Sequence, residues 1–334
     1  LLVVMRAARL AMGAAVALVA GGTAVVLAAG GDSESARMDR WTALAPAQLA
    51  RTEVAAARIG RSIYVVGGFE RSRNATTTAV ERYEIRRNRW SRVRPMPLGL
   101  NHPTAVTYRG DLYVHGGYTG ESDLSAPTGA LRRYDPERRR WRRLPSSPTP
   151  RAAHAVAVIG ARLYAAGGAN DSGSLRSLDI YDFERRRWSS GPDFPFGPAR
   201  NHTTGVAAGG RFYVIAGRDS VNFTAVERYD PRRRAWEDVP DMSTPRGGIA
   251  SARLRDGRIV VFGGENLEPG GTTIAAVELF DPRTGRWSDL PSMRTPRHGL
   301  GGVALGRRVY AIQGGVEPGF SFSNAIEFLD VRRR

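Results

Sequence analysis

The chain has 334 residues, 42% of them hydrophobic and 24% charged, so it can bury a core and lies far from the disordered class. It contains no cysteine, which excludes disulfide scaffolds, thiolate metal sites, cysteine nucleophiles and any cofactor made by joining a Tyr to a Cys. The net charge of +17 comes from 49 basic residues, all of them Arg, against 32 acidic ones; a nucleic-acid binder normally mixes Lys with Arg, so the missing Lys reads as codon bias and no nucleic-acid partner is expected.

Residues 10–29 run LAMGAAVALVAGGTAVVLAA without a charge, after Arg6 and Arg9 and ahead of the polar GDSESARMDR. This pattern predicts an export signal or a membrane anchor over 1–31 and a linker over 32–40. Ala28, Ala29 and Gly30 suit cleavage, while the length would also span a bilayer. In either case the bulk of the chain is expected outside the cytoplasm, secreted or periplasmic, or held by an N-terminal transmembrane helix.

From residue 41 to 334 the chain is repetitive. Trp41, Trp90, Trp141, Trp188, Trp236 and Trp287 recur at near-constant spacing, about every fifty residues. After each Trp an apolar stretch ends in a glycine pair or its remnant, closing on Gly68, Gly117, Gly168, Gly217, Gly264 and Gly314. A second aromatic signature follows, as VERYE at 80–84, LRRYD at 131–135, LDIYD at 178–182, VERYD at 226–230, VELFD at 277–281 and IEFLD at 326–330. Each unit therefore holds four short β segments: one rich in Ala, Gly and Val, one ending at the glycines, one with the Tyr and one with the Trp. No long helical periodicity occurs after residue 30. Four-stranded units at this period predict an all-β chain folded as a six-bladed β-propeller.

With its glycine doublets and spaced Tyr and Trp, the sequence resembles the kelch-repeat family, within the superfamily of galactose-oxidase-like propellers. The resemblance covers 41–334. Ala216 and Gln313 depart from it at the first glycine, Val260 at the preceding Tyr, and Phe280 and Leu329 at the later Tyr. The copper radical oxidases of that superfamily need a Cys joined to Tyr, which this chain cannot make. The sixth unit stops before its Trp strand, whereas Trp41 stands ahead of the first doublet with no earlier strands. An N-terminal outer strand carrying Trp41 is therefore expected to pair onto IEFLD and close the ring, giving a monomer.

Arg runs at 86–87, 138–140, 185–187, 232–234 and 332–334 share one turn of the repeat. They are read as solvated hairpin turns, or alternatively as a rim for an anionic cell-envelope polymer. Arg51, Arg151, Arg200, Arg246 and Arg297 stand 17 or 18 residues before their second glycine, and the same five units carry Glu81, Asp179, Glu227, Glu278 and Glu327. The second unit has neither. This joint absence predicts Arg-acid pairs, with ligand contacts at the channel mouth as the competing role. His102, His154, His202 and His298 lie 15, 14, 15 and 16 residues before the second glycine, an irregularity that argues against a ring of ligands, so no metal or other cofactor is expected.

Between the second glycine and the acid position the units vary in length, and loops of variable length are where a repeat scaffold places recognition. A ligand-binding face is thus expected at Tyr118, Asn170, Arg218, Asp219, Glu265 and Asn266, together with those of Arg151, Arg200, Arg246 and Arg297 that are not paired. The expected function is a module that binds a protein or a glycan. The alternative is a kelch-type sugar mutarotase or epimerase, with Glu265 and Asp219 as acid-base candidates.

Overall fold

The structure is a computed structural model and describes residues 40–332. The expected signal or anchor at 1–31 lies outside the described residues. No helix among the described residues is long and apolar enough to cross a membrane.

Six four-stranded antiparallel sheets make up the fold. Sheet one holds Ala55–Ile59, Ser62–Val66, Val80–Glu84 and Arg89–Arg92; sheet two holds Thr104–Tyr108, Asp111–His115, Leu131–Asp135 and Arg140–Leu144. Sheets three to five repeat this pattern from Ala155–Ile159, Thr204–Ala208 and Gly247–Arg253. The innermost strands touch one another in a closed cycle, from sheet one through sheet six and back to sheet one. Sheet six is completed from the far end of the chain: Thr42 pairs with Phe328 and Ala43 with Glu327.

Strand composition follows from position. The second strands are covered on both faces by neighbouring sheets and are mostly apolar, as in Ile259–Glu265, buried throughout and charged only at its last residue. The innermost strands carry small residues where they crowd the axis, such as Ala55, Ala57, Ala155 and Ala157. The core is accordingly divided into six clusters, one in each gap between adjacent sheets. The gap between sheets six and one, for example, packs Val303, Tyr310 and Ile312 against Ile63, Val65, Tyr83 and Trp90.

The repeated Trp has a second role besides filling these gaps. Each indole nitrogen donates to a carbonyl four residues beyond the preceding Trp: Trp90 to Ala45, Trp141 to Arg94, Trp188 to Pro145, Trp236 to Pro192, Trp287 to Pro240 and Trp41 to Pro291, at 2.7–3.1 Å. The six bonds form a cycle, and Trp41 supplies its last link.

The glycine doublets mark the closest approach of chain segments. A Cβ on Gly67 would lie 2.3 Å from the Leu100 carbonyl oxygen of the next sheet, and one on Gly68 would lie 2.3 Å from the Thr52 oxygen. Both have positive φ. Ala216 and Gln313 keep the left-handed conformation at the first position, with φ of 48° and 55°.

Candidate functional site

One residue at the start of each innermost strand, or just before it, adopts positive φ: Glu53, His102, Ala153, His202, Gly248 and Gly299. Their backbones are linked around the axis. His102 N donates to Glu53 O, Ala153 N to His102 O, Gly248 N to His202 O, Gly299 N to Gly248 O, and Val54 N to Gly299 O, at 2.8–3.2 Å. The left-handed turn aims these side chains at the mouth of an axial cavity of about 150 Å³, lined below by small residues such as Ala105, Gly205, Ala250 and Gly301.

Five titratable side chains meet there. His102 Nε2 lies 3.1 Å from His202 Nε2 and 3.1 Å from Glu53 Oε2. His298, one residue before its own slot, places Nδ1 3.2 Å from Glu53 Oε1 and 3.5 Å from Glu265 Oε1. Although burial works to raise Glu53, the imidazoles around it hold its carboxyl well below the usual carboxylate range. Burial lowers His102 and pushes His202 further down, so both stay neutral at pH 7. His298 is raised instead: burial works to lower it, but its bond to Glu53 and the charges of Glu53 and Glu265 together outweigh that.

Spacing from the second glycine had separated these histidines. His102 and His202 share one offset, as expected, and Ala153 between them leaves room for their rings to meet. His298 joins from an adjacent position, through Glu53. Sequence reasoning missed Glu53, although it lies at the same distance of 15 residues from Gly68. Extending the count from histidine to every residue type would have found it.

The expected ligand set is split. Arg218 and Glu265 do come together at the mouth, with Arg218 Nη1 donating to Glu265 Oε1 at 2.6 Å. Tyr118 is not a loop contact, since it is buried with its ring edge against His102 at 5.7 Å. Asn170, Asp219 and Asn266 lie further out on the loops. The Asn170 side chain accepts from Ser172 N, Asp219 from the Ser174 hydroxyl, and Asn266 from Glu268 N.

Arg151, Arg200, Arg246 and Arg297, offered to a ligand if unpaired, are not available to one. They and Arg51 are fully buried and ion-paired within their sheets: Arg51 with Glu81, Arg151 with Asp179, Arg200 with Glu227, Arg246 with Glu278 and Arg297 with Glu327. Their guanidiniums also cap carbonyls at the first position of the doublet, Arg51 on Gly67 and Arg151 on Gly167. The acids bind the incoming connector, as Glu81 accepts from Gln48 N and Leu49 N. Sheet two, which lacks the pair, buries Leu100 instead.

A second histidine pair lies between sheets two and three. His115 Nε2 lies 3.1 Å from Ser147 Oγ, whose hydrogen goes to the Thr149 carbonyl, so this nitrogen is the donor. His115 Nδ1 then accepts from His154 Nε2 at 2.9 Å. Burial pushes His115 down to about 3. The unfolded chain, with its His near 6.5, takes up a proton that the fold refuses, so this contribution to stability is complete above pH 6.5 and is lost as pH falls toward 3. Between pH 7 and 5 the loss is about 2 kcal/mol. In urea titrations at both pH values, His115→Gln is expected to lose less stability on acidification than the parent; an equal loss would contradict this assignment.

Comparison with known proteins places these features among repeat propellers. A family model described as the KLHDC2/KLHL20/DRC7 Kelch-repeats domain matches residues 53–264, and a Kelch motif model matches residues 250–294. The chain is 26% identical over 295 residues to "Kelch-like protein terF" of Aspergillus terreus, covering 83% of this chain and 64% of that protein. It is 26% identical over 276 residues to "Beta-scruin" of Limulus polyphemus, covering 76% and 29%. It therefore spans less than two thirds of the length of these relatives. The solved structure titled "Structure of YjhT" superposes with a TM-score of 0.75 at 16% identity, covering 87% of this chain and 98% of that one, which shows the shared fold.

Proposed function

Because the chain belongs to the kelch-repeat family, whose propellers serve generally as protein-binding modules, we propose that it is an exported six-bladed propeller that binds a protein partner through its loop face. One observation carries this reading. The large hydrophobic side chains exposed among the described residues, Leu124, Phe196, Val221, Leu267, Val316 and Phe320, all lie on loops at the face where second strands lead to third and outer strands lead to the next sheet. Apolar side chains gathered on one face of a soluble fold mark an interaction surface. Phe320 is braced by Phe69 and Phe322, each 4.9 Å away between ring centres, which suits a pre-ordered anchor. Export rests on the apolar stretch at 10–29 behind Arg6 and Arg9.

The opposite face carries the exposed Arg turns, whose left-handed residues Asn88, Arg139, Arg186 and Arg234 recur at one turn position. This regularity supports a structural reading of those turns over a rim for an anionic polymer. Crosslinking in the native host, followed by binding measurements on the captured protein, tests the face. Leu267→Asp with Phe320→Asp should weaken binding at least tenfold, while Arg233→Ala with Arg234→Ala should leave it within twofold. The reverse pattern, or recovery of the protein in the cytoplasmic fraction, would overturn the reading. Retention on a glycan array with no protein partner would turn it toward a glycan.

The buried Arg218-Glu265 pair at the mouth favours the sugar mutarotase or epimerase as a second reading, because it sets a carboxylate and a cation beside a cavity. Asp219 does not strengthen it, being exposed and bound to Ser174. Polarimetry of freshly dissolved anomers with the parent and Glu265→Gln is the check.

A further inference from the structure

We propose that Glu53, His102 and His202 form a binding site for one divalent transition-metal ion of the zinc class at the mouth of the axial cavity, with Asn101, Asn201 and His298 orienting its three ligands. The inference goes beyond the loop-face reading and does not depend on it.

Proton accounting carries the argument. The Asn101 amide nitrogen donates to the carbonyls of Asp123 at 3.2 Å and Gly120 at 3.4 Å, which can only accept. Its oxygen must then face His102 Nδ1, 2.8 Å away, and that nitrogen must carry the ring proton. The same logic fixes His202. Asp219 Oδ1 takes the hydrogen of the Ser174 hydroxyl, so Ser174 Oγ accepts from the Asn201 amide nitrogen at 2.7 Å, and the Asn201 oxygen accepts from His202 Nδ1. With its ring proton on Nδ1, each imidazole turns Nε2 inward as the atom a metal would take, and these two nitrogens face each other at 3.1 Å. Glu53 Oε2 adds a third electron pair 3.1 Å from His102 Nε2. The ligand atoms of the three residues all lie within 4.8 Å of one another.

Two ring nitrogens and a carboxylate oxygen converge there, a donor set that a cation between them would satisfy. A tetrahedral ion bound at about 2.0–2.1 Å holds two ligand atoms about 3.3 Å apart, close to the two 3.1 Å spacings that His102 makes with His202 and Glu53. Imidazole nitrogens with a carboxylate suit zinc and its first-row neighbours rather than calcium or magnesium. Metal-bound His characteristically donates its other ring N–H to a carbonyl or carboxylate oxygen, the role of the two Asn side chains. His298 Nδ1 fixes Glu53 in turn, through Oε1. Three protein ligands leave a fourth position open toward the cavity, as in zinc sites that bind a water or a substrate. The His115-His154 pair makes a useful contrast, since its rings meet donor to acceptor and present no second bare nitrogen at the contact.

The test uses the untagged full chain, dialysed against a chelator and titrated with Zn2+ by calorimetry and with Co2+ by visible absorption. One ion per chain is expected, with a four-coordinate Co2+ spectrum and a raised melting temperature in Zn2+. His202→Ala and Glu53→Gln should weaken affinity at least 100-fold, and Asn201→Leu by 10- to 100-fold. His154→Gln should leave it unchanged. Glu53→Gln keeps the side chain's shape, so its metal-free melting temperature separates lost ligation from lost fold. Absence of stoichiometric binding by either ion, or binding equal to the parent's in Glu53→Gln and His202→Ala, overturns the proposal. So does a nitrogen NMR signature of His102 or His202 protonated at both ring positions at pH 7, for a shared proton would then hold the pair.

Discussion

Deleting residues 38–50 is expected to lower the melting temperature by roughly 10 °C or more, and to make the chain self-associate. The segment brings the Trp41 indole into the gap beside Phe262, Met293 and Leu329, the last donor of the tryptophan cycle, and the strand that covers the outer edge of Ile326–Asp330. Truncating a buried Trp alone costs about 3–5 kcal/mol. In a domain of this size each kcal/mol moves the melting temperature by about 2–4 °C. The exposed edge of Ile326–Asp330 then offers unpaired backbone groups to a second copy. Calorimetry and size-exclusion chromatography read both effects. Trp41→Ala should reproduce most of the thermal loss without the association, and an unchanged melting temperature in the deletion would refute the closure.

Arg151→Ala should be comparably severe although it touches no solvent. The guanidinium holds Asp179 at 2.9 Å, the Gly167 carbonyl at 2.8 Å and the Ser177 carbonyl at 2.9 Å, all in the interior. Removing one partner of a buried ion pair costs about 3–5 kcal/mol, because the other charge is left without compensation. Arg151→Met combined with Asp179→Leu should recover much of the loss. Sheet two already shows the apolar solution, with Leu100 buried where the other sheets place their arginine. A double variant as unstable as the single one would mean that the carbonyl contacts, and not the charge pair, hold the connector.

The repeat was legible because its signals are steric and recur: glycines where Leu100 O and Thr52 O come within reach, Trp at each sheet's outer edge, and small residues on the axis. The Arg-acid pairing was legible through its joint absence from one unit. The channel mouth was less so. A left-handed backbone leaves no mark in residue type at Glu53 and only a weak one at His102, since Gly, Asn, Asp and His favour that conformation and Glu does not. Nor could spacing reveal that Asn101 and Asn201 fix the ring tautomers, which depends on carbonyls around Asn101 and on the Ser174 hydroxyl bound to Asp219 beside Asn201. The exposed apolar side chains were invisible for a related reason, since composition does not distinguish Phe320 at the surface from Phe262 in the core.

The six left-handed positions around the axis amount to interchangeable sockets, because their backbone bonds hold whatever side chain they bear. Three sockets are empty or nearly so, and they differ in what they would admit. Gly299 is shut, since a Cβ there would come within 2.4 Å of the Glu53 carboxylate. Gly248 is roomier: its nearest neighbour to an added Cβ is 3.3 Å away, and Ala153 already carries one. Replacing Ala153 would therefore alter the chemistry of the channel entrance without rebuilding a strand, a route by which one scaffold could diversify while its outer walls stay the same.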